Sequence, residues 1–362
     1  MSRKVAIVLF NLGGPDTRDN IRPFLQNLFA DPAIIRAPGP IRWALSRLIS
    51  RLRAPAVAKN YALMNQPEGG SPLLPETEKQ ASALEAELMR RMPGIDAKCF
   101  IAMRYWHPFT HEAAEAVKAW APDEVVLLPL YPQFSSTTTA SSLEEWHKHY
   151  SGPSKTICCY PFNEDFIAAH AEKVMDAWRA DGSPGNVKLL MSAHGVPEQV
   201  IRDGDPYQWQ VEEMASRLAA KLPEEWDKQV CYQSRVGPLK WIGPDTEEEI
   251  EEAAQAGNHI IIAPIAFVSD HIETLVELGE EYREVAEEND AVGYTNVAAL
   301  GVNALFVKSL ADEVQASLDG DLDLRSCSGG RICPSGFNNC PFEGREDIKA
   351  PPEVEAAESE AA

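Results

Sequence analysis

The chain of 362 residues carries 33 Lys and Arg against 55 Asp and Glu, a formal charge of −22, with 44% hydrophobic residues and seven cysteines. That length suits two ordinary domains and that hydrophobic content supplies their cores. The charge argues against a nucleic-acid partner, because phosphate binding needs a net basic face, and no run approaches the roughly 20 apolar residues of a membrane span.

Val5–Phe10 reads as a buried strand and Asn11-Leu-Gly-Gly-Pro-Asp16 as the loop leading into a helix. The apolar run is too short for a signal-peptide core, so a cytoplasmic protein is expected, with its cysteines reduced or metal-bound. The loop lacks the G-x-G-x-x-G and G-K-[ST] patterns, so no nucleotide is expected. Residues 32–67 contain no Asp or Glu but hold Arg36, Arg42, Arg47, Arg51, Arg53 and Lys59. Within them Ile41, Ala44, Leu45, Leu48, Ile49 and Leu52 fall at helical spacing, with Trp43 near the edge of the stripe. A basic amphipathic helix of this kind either lies on a membrane surface or packs on its own domain.

Further strands are predicted at Lys98–Met103, Val125–Pro129, Lys188–Ser192, Gln229–Gln233 and His259–Pro264, separated by helices such as Glu76–Arg91 and Asp205–Lys221. Alternating strands and helices imply α/β architecture with parallel sheets. Three strands fall on each side of Pro153, and the two sets end in comparable phrases, LLPLYPQFS and IIAPIAFVSD. Two similar doubly wound halves, 1–153 and 154–320, are therefore expected. In such sheets ligands sit beyond the carboxyl ends of the strands, where the motifs below also fall.

The last of these strands opens a segment with helical spacing. Asp270 and Glu273 have the spacing of a capping box, but Glu273, Glu277 and Glu281 then recur four residues apart with no intervening Lys. Like charges so placed cost about 0.2–0.5 kcal/mol per pair. The ladder is either a solvated acidic face or a path for a divalent cation, which flexible oxygen ligands hold loosely. Near the C-terminus Cys327, Cys333 and Cys340 lie among glycines, without the C-x2-C pairing of zinc ribbons, and Cys158-Cys159 sits mid-chain. Gly344 onward is polar and acidic, the composition of a disordered tail.

Phe267-Val-Ser-Asp-His-Ile-Glu-Thr-Leu275 resembles the signature helix of ferrochelatase, which inserts ferrous iron into protoporphyrin. Five more motifs follow the family's order: Asn11-Leu-Gly-Gly-Pro-Asp16, Met103-Arg-Tyr105, Leu130-Tyr-Pro-Gln-Phe-Ser135, Ser192-Ala-His-Gly-Val-Pro197 and Gln233-Ser-Arg-Val-Gly-Pro238. The resemblance spans Val5 to about Leu310 and implies two Rossmann-like, chelatase-like domains enclosing a porphyrin cleft, with 32–67 as its lip. It makes His194 the catalytic histidine and Glu273 the carboxylate facing it, either of them the proton acceptor or the iron ligand. Asp270, His271, Glu277 and Glu281 become a possible iron relay. Tyr105, Tyr131 and Phe267 would line the macrocycle, and Arg104 would pair with a propionate.

The resemblance further implies a [2Fe–2S] cluster on a 321–343 extension, bound by Cys327, Cys333 and Cys340. The C-terminal spacing is wider than in animal enzymes, and the loop that supplies their internal cysteine lacks one here. Cys158 is the first choice for the fourth ligand and Cys159 the second. The same-fold alternatives are chelatases acting on coproporphyrin or cobalt. A non-catalytic tetrapyrrole carrier with an iron–sulfur sensor is the alternative of another class.

Overall fold

The computed structural model describes residues 2–234 and 239–344. The first half runs β1 (Arg3–Asn11), α1 (Ile21–Ala30), α2 (Gly39–Leu63), α3 (Leu73–Arg91), β2 (Ile95–Met103), α4 (Thr110–Trp120), β3 (Glu124–Pro129), α5 (Ser141–His149) and β4 (Lys155–Ile157). After α6 (Glu164–Ala180) come β5 (Val187–His194), α7 (Glu198–Arg202), α8 (Tyr207–Ala219), β6 (Asp227–Gln233), α9 (Thr246–Gln255) and β7 (His259–Pro264). The chain ends with α10 (Tyr282–Glu288), β8 (Gly293–Asn296), α11 (Ala304–Asp319) and β9 (Leu324–Arg325).

Two wholly parallel sheets result, ordered β2-β1-β3-β4-β9 and β6-β5-β7-β8. Apart from β9 their topology is the same, each starting at an inner strand and reversing direction beside it. The likeness extends to single bonds: Leu130 N donates to Phe10 O at 2.8 Å, and Ile265 N to Ser192 O at 2.9 Å. The inner strands β1, β3, β5 and β7 are near-continuous apolar runs because both faces are covered. Val5, Ile7 and Leu9 enter one core while Ala6, Val8 and Phe10 enter another beneath α4. The larger core takes residues of α3, α6, α8 and α11 together with β1, β3, β5 and β7, so both halves share it.

The first sheet runs past Pro153. β4 begins two residues later and pairs with β3, and β9, from the C-terminal extension, adds to β4. α11 also returns to pack beside α3 and α6. The chain therefore crosses between sheets twice, and a cut at one position separates neither core. Residues 235–238 of the Gln233–Pro238 motif and residues 345–362 of the acidic tail lie outside the described residues.

Candidate active site

Where a parallel sheet reverses its winding, the loops leave in opposite directions and a crevice opens beyond the strand ends. In the second sheet that point lies between β5, which ends at His194, and β7, whose exit carries Phe267, His271 and Glu273. Gly195 permits the geometry at the end of β5. A Cβ there would stand 2.9 Å from Gln233 O, the acceptor of the Gly195 N–H.

The capping box does not form. Asp270 Oδ1 accepts from Thr274 Oγ1 and from Ala299 N, both at 3.1 Å, and so closes the loop. Glu273 instead opens a π-helical segment, Glu273–Glu281, which runs into α10. A second π-helical turn, Ser136–Ala140, follows the corresponding strand of the first half. Such wide turns concentrate at functional sites.

Glu273 Oε2 lies 3.1 Å from His194 Nδ1 and 3.7 Å from His271 Nε2. Burial works against the charge on Glu273, but His194 and His271 outweigh it and hold the carboxyl far below its ordinary range. Burial likewise pulls the His194 imidazole down, while Glu273 and then Glu277 push it further up, so its pKa ends above the ordinary histidine value. Because Glu273 stays ionised, Nδ1 of His194 carries the hydrogen and Nε2 keeps its lone pair in the neutral ring. The His194 side chain is 39% exposed. The ring of Phe267 stands edge-on to it at 6.4 Å and packs on His271 at 4.7 Å.

Glu277 lies one turn further along. Its carboxylate accepts from Gln233 Nε2 (3.1 Å), Ser234 N (2.9 Å), Ser234 Oγ (2.6 Å) and Tyr282 OH (3.1 Å). Burial, then the charge of Glu273, raise its pKa. Glu281 is exposed and accepts from Asn60 of α2 at 2.8 Å. The structure thus gathers His194, Phe267, His271, Glu273 and Glu277 and leaves Asp270 and Glu281 outside the group. Among the described residues, no three Cys, His, Asp or Glu side chains stand in an arrangement that would hold a metal ion.

Arg104 already has a carboxylate partner within the protein. Its guanidinium is committed to Asp31 at 2.7 Å and Ser141 at 2.9 Å, with Asp31 also accepting from Tyr105 OH at 2.8 Å. Tyr105 is buried, packed with Phe24, Tyr61 and Val276. Tyr131, partly exposed, lies beside the same network, and burial raises its phenol pKa. A polar cavity of about 340 Å³ opens there, lined by Asn27, Asp31, Arg104, His111 and Lys148 among others and not by His194. The sequence reading missed Tyr61, which is buried and whose phenol pKa is raised by burial and then by the charge of Glu273. It sits ten residues beyond Arg51, on the same helix as the basic stripe.

α2 turns a small-residue side inward, Ser46, Ser50, Ala54 and Ala58, down to Tyr61. Ile41 (53% exposed), Trp43 (59%), Leu48 (56%) and Leu52 (69%) face outward. Arg47 stacks over the Trp43 ring at 3.8 Å.

Five cysteines meet elsewhere. Cys158, Cys159, Cys333 and Cys340 share an apolar pocket with Phe134, Ile332 and Phe342, and Cys327 packs against it. Cys158 and Cys159 Sγ are 3.3 Å apart, and the buried Gln210 amide donates to Cys333 Sγ at 3.1 Å. Burial raises the thiol pKa of Cys158, Cys159 and Cys327, whereas a hydrogen bond from Cys333 draws that of Cys340 down. The extension is close-packed: at Gly204, with φ +96°, a Cβ would stand 2.8 Å from Asn338 N.

The ferrochelatase family profile matches residues 4–318. The ferrochelatase of Hyphomonas neptunium is 63% identical over 341 residues, 94% of this chain and 95% of that one. That of Caulobacter vibrioides is 56% identical over 343 residues, covering 94% and 98%. Among solved structures, SirB from Bacillus subtilis with Fe3+ aligns with a TM-score of 0.50 at 12% identity, covering 88% of this chain and 96% of that one, a likeness of fold alone. With a profile spanning most of its length and relatives this similar end to end, the chain belongs to the ferrochelatase family.

Proposed function

We propose that the His194–Glu273 pair carries out this family's reaction, insertion of ferrous iron into protoporphyrin IX with release of two protons, the last step of haem synthesis. The observation that supports it best is the 3.1 Å contact between Glu273 and His194 Nδ1. It fixes the tautomer and leaves Nε2 as the lone pair that takes a pyrrole proton. Glu273, kept ionised, balances the imidazolium that forms. His271 gives its Nδ1–H to Ser269 O at 3.2 Å, so its Nε2 and Glu273 present two donors 3.7 Å apart to the incoming iron. Glu277 and the exposed Glu281 continue that line toward the surface. Phe267 provides an apolar face for the macrocycle. Anaerobic incubation with ferrous iron and protoporphyrin tests this reading by the appearance of the haem spectrum.

The outward stripe of α2 is the part we assign to a membrane surface, with the protein cytoplasmic and peripherally attached. Its own domain takes the Ser and Ala side, which leaves Ile41, Trp43, Leu48 and Leu52 for lipid. No helix among the described residues is long and apolar enough to cross a membrane. Attraction of about 1 kcal/mol per basic residue near an anionic surface adds to burial of the stripe. Flotation with anionic vesicles at low salt is expected to carry the wild-type protein, and an Ile41→Asp, Leu48→Asp double variant is expected to stay behind. Equal behaviour of the two would remove the assignment.

The cysteine pocket matches a [2Fe–2S] cluster in donor type and number, five thiols and one N–H donor in apolar surroundings, although as they stand no three of the thiols are arranged to hold a metal, so binding would draw them together. Cys327, Cys333 and Cys340 with Cys158 would hold it. When bound, the cluster would supply a cross-link pinning the extension to β4 and α8; insertion changes no oxidation state and asks for no electron transfer. Protein purified anaerobically is expected to be coloured, Cys340→Ser to lose the colour and melt lower, and Cys159→Ser to keep it. Loss in Cys159→Ser with retention in Cys158→Ser would exchange those two ligands, and colourless, fully active wild type would show free thiols.

A further inference from the structure

We propose that Tyr207 is a positioning residue for His194, and that Gln210, three residues further along the same face of α8, ties that position to the cysteine pocket. The proposal rests on the reading of His194 as the proton acceptor and of the pocket as the cluster site.

Tyr207 OH donates to the backbone carbonyl of His194 at 3.0 Å. The strand β5 ends at that carbonyl, and the residues after it turn away into the Gly195–Pro197 loop. The bond therefore fixes the peptide from which the imidazole projects. Tyr207 is itself held: its N–H is given to Asp205 Oδ1 at 2.9 Å. Asp205 Oδ2 in turn accepts from Ser136 N at 2.6 Å, Ser136 Oγ at 2.6 Å and Ser135 Oγ at 3.1 Å, at the π-helical turn after β3. Both Asp205 and Gln210 are wholly buried.

Residues three apart on a helix share a face, and Gln210 uses that face for the cysteines. Its amide donates to Cys333 Sγ at 3.1 Å and toward Cys159 Sγ at 3.6 Å, and its carbonyl accepts from Phe134 N at 2.8 Å. One turn of helix thus makes directional bonds to the cysteine pocket at one end and to the His194 peptide at the other. The two sets of bonds are made from one rigid turn of helix, so a shift of Gln210 is carried to Tyr207 through the backbone they share. Whatever moves Cys333, such as gain or loss of a bound group, re-sets the turn and hence the imidazole. A small misplacement of a reacting group is enough to slow a reaction by an order of magnitude or more.

The test compares Tyr207→Phe, Gln210→Met and the double variant with wild type, by steady-state insertion, by melting, and by NMR of protein carrying 13C-labelled histidine, the His194 signal being assigned from its loss in His194→Ala. Tyr207→Phe is expected to lower kcat about tenfold with KM for porphyrin within twofold, to displace the His194 signal and to leave the melting temperature nearly unchanged. Gln210→Met is expected to displace the same signal in the same direction, and the double variant to add little to the larger single effect. A wild-type kcat and an unmoved His194 signal in Tyr207→Phe would overturn the positioning role. A perturbed cysteine pocket in Gln210→Met with the His194 signal unmoved would overturn the link. Should His194→Ala itself insert iron normally, the functional reading would fail while the displaced signal still reported the coupling.

Discussion

Replacing His194 by alanine is expected to abolish iron insertion while porphyrin still binds. The imidazole stands at the end of β5 with Nδ1 committed to Glu273, so Nε2 is the lone pair free for substrate. General-base catalysis contributes about 10²–10⁴-fold, and the loss should reach at least the lower figure. The fold should survive, because the side chain is 39% exposed and the strand is held by its neighbours on both sides. Fluorescence quenching on porphyrin titration separates binding from chemistry. Insertion at near wild-type rate would remove both the assignment and the role given to the Ser192–Pro197 motif.

Glu273→Gln should have the second-largest effect, and it should alter pH dependence as well as rate. Glu273 and Glu277 hold the imidazole pKa of His194 above its ordinary value against the opposing effect of burial. The neutral ring, which accepts the proton, then predominates only above that raised pKa. Insertion by the wild type should fall as pH drops through it. Removing the Glu273 charge takes away the main cause of elevation, so the acid limb of kcat/KM should move to lower pH, alongside a large drop in the plateau and a higher iron concentration for half-maximal rate. Glu277→Gln should move the limb in the same direction but less, with a milder loss of rate, because Glu277 is the secondary cause and already spends its oxygens on Gln233, Ser234 and Tyr282. Equal and negligible effects of the two substitutions would return the acidic ladder to a solvated face.

The inner strands β1, β3, β5 and β7 were legible because both their faces are covered, which writes a near-continuous apolar run, and the edge strands β2 and β6 showed shorter ones toward their ends. β4 and β8 were not, at three and four residues, too short to show any pattern. The π-helical winding of Glu273–Glu281 was equally hidden, since acidic residues four apart suit an α-helix as well. The His194 and Glu273 positions came from motif resemblance, and so did Arg104. Its partner Asp31 lies 73 residues away in sequence and falls just outside the acid-free stretch, so nothing local announced the internal pairing. Gln210 and Tyr207 lay in a stretch read only as helix, and no local pattern marks a glutamine that will donate to a cysteine more than a hundred residues later. The cysteines themselves were visible, but only folding brings residues 158–159 and 327–340 to one pocket.

A chelatase and a tetrapyrrole carrier differ in one outcome, whether bound porphyrin becomes haem. Purified protein incubated anaerobically with ferrous iron and, separately, protoporphyrin and coproporphyrin should convert protoporphyrin to haem over many turnovers, seen as the shift of the Soret band. Tight porphyrin binding with no haem formed, and the same binding in His194→Ala, would contradict iron insertion by this chain.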